Sequence, residues 1–228
     1  MRFERFIQIA GVIDRAEAEL LVDCGVRHLG FPLRLPVHRE DLTEIEAAAI
    51  IAALAPPAGG VLITYLDRAD DVLALCRQLG VSIVQLHGEV PTVELERLAR
   101  IAADVAVIKS LVVHGDDLDR LERAVQMQSA YVDAFITDTH DSSTGASGAT
   151  GKTHDWSISR RLVELSTRPV ILAGGLTPDN VGNAIRQVGP AGVDTHTGVE
   201  ARDGRKDRER VRRFLDAASG AFDAISVA

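Results

Sequence analysis

Eight short apolar runs, each followed by a segment of helical period, constrain this chain more than any other feature. The runs are Phe6–Ala10, His28–Phe31, Val61–Tyr65, Ser82–Leu86, Val105–Ser110, Tyr131–Asp138, Val170–Ala173 and Gly192–Thr195. Most are too apolar to keep one face in water, as strands covered on both faces of a parallel sheet must be. Between them lie helical stripes such as Leu42/Ile45/Ala49/Ala52 and Val211/Phe214/Leu215/Ala218. This alternation predicts repeated βαβ units, and eight such units close into a barrel more readily than they lie in an open sheet. The expectation is a single (β/α)8 barrel domain over residues 1–228, a length that suits one unit of this class.

No shift in composition divides the chain. Its one segment of low complexity, Asp141–Thr153, is rich in Ser, Gly and Thr and follows the sixth strand. It therefore stands on the face where barrel active sites lie, as a flexible loop that is either a mobile lid or a plain connection. A net charge of −8 argues against nucleic acid and acidic membrane surfaces as partners. No apolar run reaches the ~20 residues needed to span a bilayer. The first residues, Met1-Arg2-Phe3-Glu4-Arg5, lack the apolar stretch of a signal peptide, so a cytoplasmic protein is expected. Cys24 and Cys76 offer neither a disulfide framework nor metal-ligand spacing and read as small buried hydrophobes. With no metal cluster and no dinucleotide fingerprint in the pattern, no metal and no cofactor are expected. Monomer and homodimer stay equally open.

Two small-residue turns follow the last two strands: Ala173-Gly174-Gly175-Leu176, and Asp194-Thr195-His196-Thr197-Gly198-Val199-Glu200. Gly174 and Gly175 let backbone amides approach an anion without a Cβ in the way. Thr197 and Gly198 offer further donors beside them. In an eight-stranded barrel these turns are neighbours on the phosphate-binding side, which points to a small phosphorylated substrate. The plainer alternative is that the glycines only make tight turns into helices. Thr177 is the expected N-cap of the helix that follows, with Pro178 at its first position. Ala146–Thr153 matches a relaxed P-loop pattern, but no strand runs directly into it and no helix opens at its Gly-Lys-Thr, so nucleotide hydrolysis is set aside.

Asp138 closes the sixth strand, where partial desolvation raises a carboxyl pKa toward general-acid use. Asp194 holds the corresponding place at the eighth. For either, a carboxylate that merely bonds a nearby loop is the alternative. Arg34 and Arg39 follow the second strand and suit two-pronged binding of a carboxylate, the plainer alternative being a pair of solvated loop arginines. His87 is a candidate for orienting a neighbour, and His196 is set apart by its place in the phosphate turn.

Taken together, these motifs resemble phosphoribosylanthranilate isomerases, barrel enzymes of tryptophan biosynthesis. Val84-Gln85-Leu86-His87-Gly88-Glu89 looks like the family's fourth-strand signature, and Ile108-Lys109-Ser110 is similar to its fifth-strand I-K-A. Gly151-Lys152-Thr153-His154-Asp155-Trp156 resembles G-K-T-F-D-W. Leu172–Val181 resembles the phosphate turn almost letter for letter, and Gly198-Val199-Glu200 with Gly204-Arg205-Lys206-Asp207 closes the likeness. The resemblance implies an Amadori rearrangement, in which an aminoaldose phosphate opens and becomes an aminoketose. It makes Asp138 the acid that protonates the ring oxygen and Arg39 the contact to the anthranilate carboxylate. Asp194 then lies near the sugar hydroxyls, with Gln8 and His87 among the substrate contacts.

The catalytic base breaks the pattern. The family's first strand ends K-I-C-G, with the cysteine as base, whereas this chain reads Gln8-Ile9-Ala10-Gly11. Alanine cannot take a proton, and Gln8 removes a positive charge nearby. The family's S-S-G-V-E has become His196-Thr197-Gly198-Val199-Glu200. Three readings follow: an isomerase in which His196 or another group replaces the base, an enzyme acting on another phosphosugar or aryl-amine phosphoriboside, or a phosphosugar-binding protein without catalysis.

Overall fold

A computed structural model describes residues 3–36, 40–113, 117–141, 146–147 and 154–226. Its strands are β1 (Phe6–Ala10), β2 (His28–Pro32), β3 (Gly59–Thr64), β4 (Ile83–Leu86), β5 (Ala106–Val113), β6 (Ala134–Asp141), β7 (Ala146–Ser147), β8 (Val170–Leu172) and β9 (Gly192–Thr195). All but β7 are parallel, and β1 pairs with both β2 and β9. The register Gln8↔His28 on one side and Gln8↔Asp194 on the other, with β5 paired to β6, closes an eight-stranded barrel. The helices are α1 (Arg15–Asp23), α2 (Glu44–Ala53), α3 (Ala69–Leu79), α4 (Thr92–Ile101), α5 (Leu118–Gln128), α6 (Trp156–Leu165), α7 (Val181–Val188) and α8 (Arg208–Ser226). The expected (β/α)8 barrel is therefore the fold.

Strand alternation splits the core in two. Inside the barrel, Phe6, Val61, Ile83, Ile108, Ile136 and Ile171 fill the lower layers, and Phe3 closes the base edge-on against Phe6. The outward faces, including Leu29, Phe31, Leu62, Leu86 and Phe135, pack beneath the helical stripes. Local chemistry starts the helices as it should. Thr43 and Glu46 form a reciprocal capping box at α2, and the Asp14 carboxylate accepts from Glu17 N at α1.

Several boundaries differ from expectation. The sixth strand runs three residues past Asp138, and the low-complexity segment contributes β7, paired antiparallel to it (His140↔Ser147, Asp141↔Ala146). The other residues of that segment, 142–145 and 148–153, and Arg39 lie outside the described residues. Thr177 does not cap α7 with its side chain. Regular helix begins at Val181, and Asn180 instead bonds back, its Oδ1 accepting from Thr177 N and its Nδ2 donating to Gly175 O. Both cysteines are free; Cys76 is buried as expected, but Cys24 is only half-buried.

Candidate active site

Polar side chains replace apolar ones as the strands approach their carboxyl ends. The residues that alternate with the lower interior layers are Gln8 on β1, Gln85 on β4 with His87 just beyond its end, Ser110 on β5, Asp138 on β6 and Asp194 on β9, and all are buried. Gln8 Nε2 donates to Gln85 Oε1 across the barrel at 2.9 Å. His87 Nδ1 meets Ser110 Oγ at 3.1 Å, its Nε2 stands 3.8 Å from Asp138 Oδ2, and its ring packs edge-on to Tyr65. Thr139 N donates to Asp138 Oδ1 at 2.7 Å. A cavity of about 680 Å3 opens beside this group, lined by Tyr65, His87, Glu89, Val112, Asp117 and Arg120 among others.

Burial dominates the electrostatics. It raises the pKa of Asp138 above the usual carboxylate range, against the opposing pulls of His87 and the Thr139 amide. It pushes Asp194 up to about 7, with the Asp138 charge adding and Gln8 and Lys206 partly offsetting. Tyr65, also desolvated and near Asp138, rises to about 12. Two carboxyls that both resist ionisation thus share one barrel mouth, an arrangement suited to acid–base work.

The two glycine turns meet as the sequence implied. Gly174 and Gly175 have φ of +96° and +61°, and a Cβ on Gly174 would lie 2.1 Å from Thr139 Oγ1. A Cβ on Gly198 would lie 1.8 Å from Leu176 O, and Thr195 Oγ1 donates to that same carbonyl at 2.7 Å. Thr197 and Gly198 form a short 3-10 turn, Thr197–Val199, directly against the first turn. Only glycine lets the two backbones approach this closely.

His196 stands over the end of β1. A Cβ on Gly11 would meet its Nε2 at 2.0 Å, so the imidazole lies beside the Ala10-Gly11 step. Its Nε2 is 3.3 Å from Glu200 Oε1, and burial with the Lys206 charge lowers its pKa to about 3. Sequence reasoning missed the support beneath this loop. Lys206, with no exposed side-chain surface, binds Glu200 Oε1 at 2.7 Å, while buried Glu17 accepts from Lys206 N and Ile13 N. It also missed the chain Thr139 Oγ1–His154 Nδ1 (2.9 Å) and His154 Nε2–Ser159 Oγ (2.5 Å), which braces the hydroxyl against Gly174. The only available signal was a histidine where the family motif has phenylalanine. Among the described residues no cluster of three His, Cys, Asp or Glu could hold a metal, and no helix is long and apolar enough to cross a membrane.

The family described as N-(5'phosphoribosyl)anthranilate (PRA) isomerase matches residues 11–217. The chain belongs to the phosphoribosylanthranilate isomerase family. A Haloferax volcanii protein named N-(5'-phosphoribosyl)anthranilate isomerase is 40% identical over 96% of this chain and 95% of its own length. A Methanosarcina mazei protein named N-(5'-phosphoribosyl)anthranilate isomerase 2 is 36% identical over 95% of each. Among solved structures, the phosphoribosylanthranilate isomerase of Thermotoga maritima superposes with a TM-score of 0.79 at 29% identity, covering 95% of this chain and 99% of that one. Another isomerase structure, in complex with reduced 1-(o-carboxyphenylamino)-1-deoxyribulose 5-phosphate, gives 0.77 at 27% identity, with the same coverage of both chains. Ala10, His154 and His196 all stand at or beside the barrel mouth.

Proposed function

We propose that this protein isomerises N-(5'-phosphoribosyl)anthranilate to the corresponding aminoketose phosphate. The observation that carries the reading is the buried Asp138 carboxyl, whose pKa desolvation raises, on the same barrel mouth as the paired turns at Gly174-Gly175 and Thr197-Gly198. The turns supply backbone amides for the phosphate. Asp138 protonates the ribose ring oxygen, the C1–O bond breaks, and the nitrogen lone pair forms C1=N. His87, 3.8 Å away and fixed by Ser110, holds Asp138 in place. Gln8 and Asp194 face the sugar, and Arg39 is the proposed contact for the anthranilate carboxylate. His196 stands where a replacement base is needed, but an imidazole whose pKa is pulled to about 3 is a weak acceptor for a carbon-bound proton.

Ala10, which has no ionisable group, favours a second reading: the same grip serving another phosphosugar, or binding alone. The test is incubation of the purified protein with phosphoribosylanthranilate while its fluorescence is followed. Turnover lost by at least about 100-fold in Asp138→Asn is expected, a loss in the range of general acid–base catalysis. Binding without turnover by the wild-type protein would shift the assignment to the second reading.

A further inference from the structure

Gln8 and Asp194 are register partners on β1 and β9, the strands that close the barrel. Gln8 is fully buried and Asp194 is 9% exposed. Each keeps one oxygen, Gln8 Oε1 and Asp194 Oδ1, with no hydrogen-bond partner among the described residues. The groups nearby that could donate do not reach these two atoms. Gln8 is shared between Gln85 Oε1 and a side-chain hydrogen bond to the Asp194 carboxyl that leaves Oδ1 unpaired, and the Lys206 ammonium serves Glu200 Oε1. Buried acceptors without donors are rare and costly, so the pair calls for an explanation. A proton taken up by Asp194 would supply that donor. The charges facing the carboxyl are few: Asp138 from β6 opposes its ionisation, Lys206 favours it from a distance, and His196, on the same loop, is kept neutral by burial. Such surroundings bind a proton well, which is what a base must do.

We propose that Asp194 is the proton-transfer residue of this barrel, taking the C2 proton of the ring-opened substrate as a carboxylate and returning it to C1 as an acid. The inference rests on the isomerase reading above. Once Asp138 has protonated the ring oxygen, Asp194 removes the C2 proton. The C2–H electron pair becomes the C1=C2 bond and the C1=N pair returns to nitrogen. Asp194 then protonates C1, while the Asp138 carboxylate takes the enol hydrogen from O2 as C2=O forms. Both carboxyls are restored and no outside oxidant or reductant is required. Ala10 is then no defect, because the base sits on the neighbouring strand.

The test compares wild-type protein with Asp194→Asn and His196→Ala. Turnover of phosphoribosylanthranilate, binding of inorganic phosphate and a carboxyl titration by infrared difference spectroscopy are measured on each. Asp194→Asn is expected to lose at least about 100-fold in turnover, a typical acid–base contribution, with phosphate affinity unchanged. His196→Ala should stay within about tenfold of wild type, a smaller loss than removal of a general base gives. Wild-type kcat/KM should rise with pH through about 7 as Asp194 of the free protein ionises. Turnover retained by Asp194→Asn overturns the proposal, as does an equal loss of phosphate affinity, which would mark the residue as structural. If wild type turns over nothing, the isomerase reading fails by itself and the titration decides the rest. A protonated carboxyl persisting toward about pH 7 and missing in Asp194→Asn supports the proton-holding site, and its absence from wild type overturns it.

Discussion

A carboxyl inside a barrel behaves according to what it can bond to, and Asp194 has neither a free cation nor a hydrogen-bond donor on Oδ1. Its folded-state pKa of about 7 lies well above the ordinary aspartate range, so the folded protein binds the proton more tightly than the unfolded chain. Stability is therefore undiminished by this group below about pH 4 and falls as pH rises toward 7, by a few kcal/mol in all. Asp194→Asn should remove that slope. Its melting temperature is expected to exceed that of wild type at pH 8, with the gap closing toward pH 4, as thermal melts across pH would show; parallel profiles would refute it. His154 and His196 act with the opposite sign. Burial lowers their pKa values to about 4 and about 3, so they withdraw stability as pH falls below about 6.5, where the unfolded imidazoles take up protons. Only the direction for a strand-end carboxyl was legible in sequence. A motif shows that a carboxyl stands at a strand end, but not which of its neighbours are already spent.

Among elements, the two glycine turns were legible and their mutual packing was not. Small residues after two apolar runs imply turns, yet only the folded chain shows Gly198 pressed against Leu176 O and Gly174 against Thr139. Gly198→Ala forces its Cβ to within 1.8 Å of a backbone carbonyl unless the turns separate. The expected cost is on the order of 1–3 kcal/mol in stability, from strain in a packed site. Affinity for inorganic phosphate should fall with it, as calorimetry would show; unchanged phosphate affinity would mean these turns are not the grip. The N-cap at Thr177 was misplaced for a related reason. Thr-Pro-Asp reads locally as a helix start, but the Asn180 side chain is drawn back to Thr177 N and Gly175 O and shapes the turn instead.

Closure is a property of the whole molecule. The last strand meets the first through β1–β9 pairing, and the final βα loop is tied to the first helix by Glu17, which accepts from both Lys206 N and Ile13 N. Lys206 neutralises Glu200 within the same seam. Lys206→Met would leave the Glu200 charge half-buried without its cation. Breaking such a pair costs about 3–5 kcal/mol, which denaturant unfolding would read as a lowered midpoint. A midpoint unchanged from wild type would show that water reaches Glu200 freely.

The sequence by itself determined the barrel, the order of its units and the strand ends at which polar groups gather. These follow from periodicity and from residue type, which are local properties of the chain. It also revealed that position 10 is alanine, and so posed the question of the base. Only the tertiary structure decided that Gln8, Gln85, Asp138 and Asp194 form one buried polar layer, and that Lys206 is held by Glu200. Residues 8 and 194 lie far apart along the chain and become neighbours only when the barrel closes. A pKa depends on desolvation and on unspent donors, and both are properties of that closed interior.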